Sequence, residues 1–124
     1  RKGVTIDKPW NIIADDLVIF GDCATVRASE PITIGKRCVI SQYATLITEV
    51  GETSTGGKTK RVDAITIEDD VWVATDAIVM PGSHIESGVV VGARSMVDGR
   101  LPKWTICTGE PAAPRTERVL YEQN

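Results

Sequence analysis

From Ile67 onward an aliphatic residue returns at every sixth position: Ile67, Val73, Val79, Ile85, Val91 and Val97. Four residues after each stands a small or aliphatic side chain, at Val71, Ala77, Ser83, Val89, Ser95 and Leu101. A period of six is neither the 3.6 of an amphipathic helix nor the strict alternation of a half-buried strand. It marks a solenoid whose turns repeat one short strand and one corner. The same frame is read upstream at Ile13, Ile19 and Thr25, with Leu17, Cys23 and Ser29 four residues on. It is read again at Ile34, Ile40 and Leu46, with Cys38, Ala44 and Val50. Two insertions interrupt it. Thr25 to Ile34 is nine residues, which leaves three extra, assigned to 31–33. Leu46 to Ile67 is 21 residues, which leaves 15 extra, assigned to a protruding loop at 52–66. Twelve hexads at three per turn predict four triangular coils of parallel strand. At the usual strand spacing of roughly 4.8 Å the prism would stand about 19 Å tall.

In such a prism inward columns stack like on like, with Ile13 over Ile34, Ile67 and Ile85. Cys23, Ala44, Ala77 and Ser95 form a small corner column, and both Cys23 and Cys38 are read as core residues. Each coil buries apolar surface only against its neighbours, so the open ends must be covered. Val4 and Ile6 read as part of an earlier rung, and because the chain begins at Arg1 rather than Met an upstream segment is expected. After Pro102 the hexads stop, so 103–124 is expected to be a short extension, with a short helix or tail between Pro114 and Glu122. Residues 1–124 form a single domain in this reading. The spacing itself leaves the hand of the coil open, and parallel crossovers are right-handed in about 98% of cases.

Composition narrows the function. The 124 residues carry 14 Lys and Arg against 17 Asp and Glu, a formal charge of −3, which is not the basic footprint of a nucleic-acid-binding domain. No apolar run approaches the roughly 20 residues of a membrane span. One histidine, and three cysteines with no CxxC pair, leave no conventional zinc site. Free thiols fit a reducing, cytoplasmic setting. Cys107 would need an adjacent base to act as a nucleophile, and none is visible in the sequence.

The motifs are more specific than the period. Pro9-Trp10-Asn11, Ile32-Thr33-Ile34-Gly35, Val39-Ile40-Ser41-Gln42, Val71-Trp72-Val73-Ala74-Thr75-Asp76, Val91-Gly92-Ala93-Arg94-Ser95 and Gly109-Glu110-Pro111-Ala112 cover nearly the whole chain, roughly residues 1 to 119. Together they resemble the hexapeptide-repeat acyltransferases, and within them the colanic-acid-type sugar O-acetyltransferases of exopolysaccharide biosynthesis. The resemblance implies a left-handed parallel β-helix, overriding the right-handed prior. It also implies a homotrimer with sites between neighbouring prisms, acetyl-CoA as donor and a sugar or glycan precursor as acceptor. With the composition, the reading expects no metal, no nucleic-acid partner and no membrane span.

The resemblance also assigns residues. Thr75 and Ala93, one 18-residue coil apart, match the track of the pantetheine arm, and Trp72 matches a tryptophan beside it. Arg100 is the nearest cation to the place where relatives carry a lysine for the CoA phosphates, now Asp98-Gly99, with Arg94 and Lys103 as further candidates. The family places a general-base histidine at the base of the protruding loop. Here Leu46-Ile47-Thr48 keeps the preceding motif, but the histidine position is Gly51, followed by Glu52. Glu52 is the weak substitute, Glu49 a second carboxylate to weigh, and His84 lies far along the chain on an outward position. The catalytic residue is therefore open at this level. Either the protein is an acetyl-CoA-dependent sugar O-acetyltransferase weakened by that loss, or it is a degenerate CoA-binding or structural subunit of a trimer.

Overall fold

Strands of two or three residues alternate with tight corners along almost the whole chain, because six residues complete one face and one turn. The structure, a computed structural model, describes residues 2–54 and 56–119, without the side chains at 52–54 and 58. A partial rung opens it at β1 (Thr5–Asp7), followed by a 3-10 turn at Pro9–Asn11. The first full coil is β2 (Ile12–Ala14), β3 (Ile19–Phe20) and β4 (Thr25–Arg27), and the second is β5 (Ile32–Ile34), β6 (Val39–Ile40) and β7 (Thr45–Ile47). A hairpin of β8 (Glu49–Ser54) and β9 (Gly57–Val62) then leaves the prism. The third coil is β10 (Ile65–Ile67), β11 (Trp72–Val73) and β12 (Ile78–Val79), and the fourth is β13 (His84–Ile85), β14 (Val90–Val91) and β15 (Met96–Val97). A last turn adds β16 (Arg100–Leu101), β17 (Thr105–Gly109) and β18 (Ala112–Glu117).

The strands assemble into three faces. Face 1 is β2-β5-β10-β13-β16, face 2 is β3-β6-β11-β14-β17-β18, and face 3 is β1-β4-β7-β12-β15. All pairings on them are parallel except β17 with β18. With partial rungs at both ends the stack has five parallel strand levels per face, and face 2 adds the antiparallel β18, rather than the four coils the spacing predicts. Val4 and Ile6 flank and form the opening rung, Ile6 standing over Val26.

The core is three inward columns. On face 1 the register stacks Ala14, Ile34, Ile67, Ile85 and Leu101; on face 2 Phe20, Ile40, Val73, Val91 and Cys107; on face 3 Ile6, Val26, Leu46, Val79 and Val97. From the second coil onward these residues are buried. In the first coil the frame lies one residue later than the spacing assigns. Ile13 pairs with Thr33 and is 64% exposed, and Ile19 pairs with Val39 and faces out. Twin apolar positions, Ile12-Ile13 and Ile19-Phe20, make the two frames equally readable, and a one-residue slip flips every side chain to the other face. Val26 to Ile34 is eight residues, so two are extra there, not three.

The slip moves a cysteine. Cys23 is exposed at a corner with φ 60°, and Ala24 takes the small buried place above Ala44 and Ala77. Cys38 is buried as expected, and Cys107 is buried as a rung residue. Downstream, Ile65 and Thr66 belong to β10, so the excursion runs from Glu49 to Val62 rather than ending at 66. Pro114 lies in β18, an antiparallel return on β17, so the region expected as helix or tail is strand to Glu117; residues 120–122 lie outside the described part.

Corners fix the rest. Nine described non-glycine residues, among them Leu17, Arg37, Tyr43, Asp70, Asp76 and Arg94, sit in the left-handed region near φ 60°. That conformation costs roughly 1–2 kcal/mol for an L-residue, and it persists where surrounding bonds over-determine it. Here corner stacks on corner: Arg37 N–H donates to Asp16 O (3.1 Å), Asp70 N–H to Lys36 O (2.9 Å), Gly88 N–H to Asp69 O (2.9 Å) and Trp104 N–H to Ser87 O (2.9 Å). The side of this corner is closed by Arg118, which donates to Asp70 O (2.8 Å) and Gly88 O (3.0 Å) and lies 5.7 Å from the Trp104 ring centroid.

Candidate active site

The corner between faces 2 and 3 stays open. Two residues past each inward residue of face 2 stand Asp22, Gln42, Thr75 and Ala93, one above another. The stacking is direct: Tyr43 N–H donates to Asp22 O (3.0 Å), Asp76 N–H to Gln42 O (3.3 Å) and Arg94 N–H to Thr75 O (2.9 Å). Gly21, Asp22, Val39, Ser41, Gln42 and Thr75 line a groove of about 420 Å³ along this corner. Trp72 flanks it on face 2, 47% exposed, with its indole Nε1–H donating to Ser41 Oγ at 2.8 Å. The small side chains of Thr75 and Ala93 follow one another on this corner, with the tethered aromatic of Trp72 beside them. Thr75, Ala93 and Trp72 are thus brought together.

Arg100 is not part of that group. It projects from β16 on face 1, which lies across the prism from the 2–3 corner, and its Nε donates to Glu86 Oε2 at 2.5 Å. Glu86 also accepts from the Lys103 backbone N–H (3.1 Å), so Lys103 stands on that side too. Arg94 is the cation beside the track, at the corner residue after Ala93, with Asp76 3.9 Å away. Asp22, Ser41 and Gln42 were missed as lining residues. Gln42 shares the hexad position of Thr75, so the repeat could have found it; Asp22 was hidden by the slipped frame.

The loop base holds no imidazole. Gly51 lies in β8 opposite Lys60, and no described atom comes within 4 Å of where its Cβ would stand. Glu52 is the next strand residue, and its side chain lies outside the described part. Glu49 is ion-paired with Lys60 (3.1 Å), and that hydrogen bond and charge hold its carboxyl below the usual range. It is therefore an ionised partner, not a base poised near neutrality. Thr48 anchors the base: fully buried, its hydroxyl donates to Arg27 O (3.1 Å) and accepts from Ser29 Oγ (3.0 Å) and the Glu30 N–H (3.1 Å). Beside it a small polar hollow of about 120 Å³ is lined by Asp7, Lys8, Arg27, Ser29, Ile47 and Glu49.

His84 faces outward on face 1. Its Nε2 lies 2.5 Å from Glu68 Oε2, and Arg100 Nη1 is 3.3 Å from its Nδ1. The other Glu68 oxygen accepts from the Ser87 N–H and hydroxyl at 3.2 and 3.1 Å. These bonds, His84 first, hold the Glu68 carboxyl below its usual range. The sole imidazole is engaged in a polar network on face 1, across the prism from the track.

Over 122 residues, 98% of this chain and 67% of the relative, the sequence is 39% identical to the colanic acid biosynthesis acetyltransferase WcaF of Escherichia coli K12. The chain belongs to the hexapeptide-repeat acetyltransferases. No family model matches it. Among solved structures, a hexapeptide-repeat-containing acetyltransferase from Vibrio cholerae superposes with a TM-score of 0.78 at 24% identity, over 94% of this chain and 71% of that one. AntD, an N-acyltransferase from Bacillus cereus solved with dTDP-4-amino-4,6-dideoxyglucose and coenzyme A, superposes at 0.78 with 21% identity, over 96% of this chain and 80% of its own. At these identities the superpositions establish the shared parallel β-helix. Among the described residues no helix is long and apolar enough to cross a membrane.

Proposed function

We propose that this chain transfers acetyl from acetyl-CoA to a hydroxyl of a sugar or glycan precursor, in the cytoplasm, as a homotrimer. The observation that carries the reading is the small-residue track of Thr75 and Ala93 beside Trp72, in a chain 39% identical to WcaF across almost its whole length. In the reaction the acceptor oxygen attacks the thioester carbonyl, the oxyanion forms, and the thiolate leaves as the hydroxyl proton is taken up. Backbone N–H donors along the corner suit the oxyanion. The proton acceptor is the weak point, because Gly51 carries no side chain and Glu49 is held ionised by Lys60. Loss of a general base typically lowers the rate by about 10² to 10⁴, so slow transfer is expected.

Gly51 also favours a second reading, a CoA-binding or structural trimeric subunit without turnover. Calorimetric titration with acetyl-CoA separates the readings from an unrelated use of the fold. Saturation near one site per chain, weakened at least tenfold by Ala93→Trp, supports a CoA track; no heat at millimolar acetyl-CoA in a sample sedimenting as three chains would leave only the structural subunit. Acetylation of sugar acceptors by the wild-type chain then decides between enzyme and degenerate binder.

A further inference from the structure

The corner between faces 3 and 1 is the one the hairpin leaves, and it carries contacts that the proposed chemistry does not use. A two-stranded hairpin is marginal by itself in water, so its orientation depends on what it touches. At the stem, Asp63 N–H donates to Thr48 O at 3.0 Å. Further out, Arg61 on β9 reaches the body. Its Nη2 donates to Pro81 O at 2.8 Å and to Asp98 Oδ1, and its Nη1 lies 3.3 Å from Asp98 Oδ2.

Pro81 and Asp98 occupy the same corner one and two rungs beyond the hairpin's exit. Two rungs are roughly 10 Å along the prism, so β9 must lie back along the corner for Arg61 to make both contacts. The pair is forked, the geometry in which guanidinium and carboxylate bind most directionally. Each side chain is only 34% exposed, so the pair is partly sheltered from screening. On the same strand the neighbouring residue, Lys60, holds Glu49 at the edge of the polar hollow. One strand thus grips the body with one residue and the hollow's rim with the next.

We propose that Arg61, Asp98 and the Pro81 carbonyl form a latch that sets the β8–β9 hairpin against the 3–1 corner and so positions Glu49 at the rim of the polar hollow, taken here as the acceptor's end of the site. Arg61 and Asp98 act as positioning residues, through the hairpin and Glu49. The acceptor part of this inference rests on the proposed transferase reading; the latch itself does not.

Hydrogen exchange of the full chain tests the latch directly. Asp98→Asn and Arg61→Gln are expected to speed exchange of hairpin amides at 50–61 about five- to tenfold, with β10 to β14 unchanged. The swap Arg61→Asp with Asp98→Arg is expected to recover much of that protection, and added salt to speed the wild-type hairpin but not Asp98→Asn. Unchanged hairpin exchange in the single variants, or a uniform loss of protection throughout the prism, overturns the latch. In transfer assays the single variants are expected to raise the acceptor KM several-fold with the acetyl-CoA KM unchanged. An unmoved acceptor KM alongside a loosened hairpin overturns the positioning role. A wild-type chain without transfer to any acceptor sinks the transferase reading and with it the positioning role, while the exchange result still decides the latch.

Discussion

At the scale of single residues, two positions at the loop base define what the site can do. On the proposed reading Gly51 occupies the general-base position; it stands in open space and with an ordinary backbone conformation, so a side chain there meets no obstacle among the described atoms. Gly51→His is expected to raise acetyl transfer by about 10² to 10⁴-fold, with acetyl-CoA affinity unchanged, in a steady-state assay against sugar acceptors. No gain, in a variant that binds acetyl-CoA normally, would place the missing function elsewhere. Thr48 is the opposite case, a buried hydroxyl whose three partners are all backbone or a neighbouring hydroxyl. Thr48→Val leaves the Glu30 N–H without its acceptor and is expected to cost about 1–3 kcal/mol, read from urea unfolding. The sequence made Gly51 and Thr48 legible through the motif around them. It could not show that Glu49 is tied up by Lys60, because that pairing depends on the hairpin register.

At the scale of the element, a rung is two or three residues long and has almost no stability of its own, so contacts between rungs decide everything. Gly21 shows how close these are. A Cβ there would stand 2.4 Å from the Gln42 backbone nitrogen and 2.8 Å from the Ser41 carbonyl carbon, and backbone cannot step aside as a side chain can. Gly21→Ala is expected to destabilise the chain by about 1–3 kcal/mol, measured by denaturant unfolding, and, on the proposed reading, to weaken acetyl-CoA binding because Gly21 lines the groove. An unchanged unfolding midpoint would mean the first coil shifts freely, against the tight stacking described. Gly88 is constrained twice, by its own φ of 75° and by the Trp104 ring 2.3 Å from where a Cβ would stand. The period of six predicts each of these rungs from the second coil on. It fails in the first coil, where paired apolar residues let two frames fit equally and only packing against Ile34, Ile40 and Leu46 selects one.

At the scale of the whole molecule, carboxylates stitch separate coils together. Arg37 forks onto Asp70 and Arg61 onto Asp98, while Arg100 meets Glu86 and His84 meets Glu68 through single contacts; three of these pairs join successive coils, and the Arg61 pair ties the hairpin to the stack. In every case the hydrogen bond to the cation or imidazole is the largest influence holding the carboxyl below its ordinary range. A carboxyl with a depressed folded pKa contributes stability above its unfolded pKa and loses it as pH falls through the folded value. The thermal midpoint is therefore expected to change little through the neutral range on account of these groups and to fall below roughly pH 4, as the ordinary carboxylate range is crossed. A melting series by circular dichroism checks this; a midpoint that holds or rises on acidification below that range would remove the carboxylates from the stability of the stack.

The repeat alone determined that the chain is a parallel coil of three-strand turns, because a six-residue period has no other way to bury an aliphatic column. Its motifs put Thr75 and Ala93 on one corner with Trp72 beside it, and put Gly51 where the resemblance expects a general base. Tertiary structure decided which side of the first coil faces in, that Arg100 and His84 belong to face 1, and that Arg61 grips Asp98. Those outcomes depend on contacts between residues 16 to 37 positions apart, made only once coils lie on one another. A local period carries no information about which charged side chains will meet across the rungs.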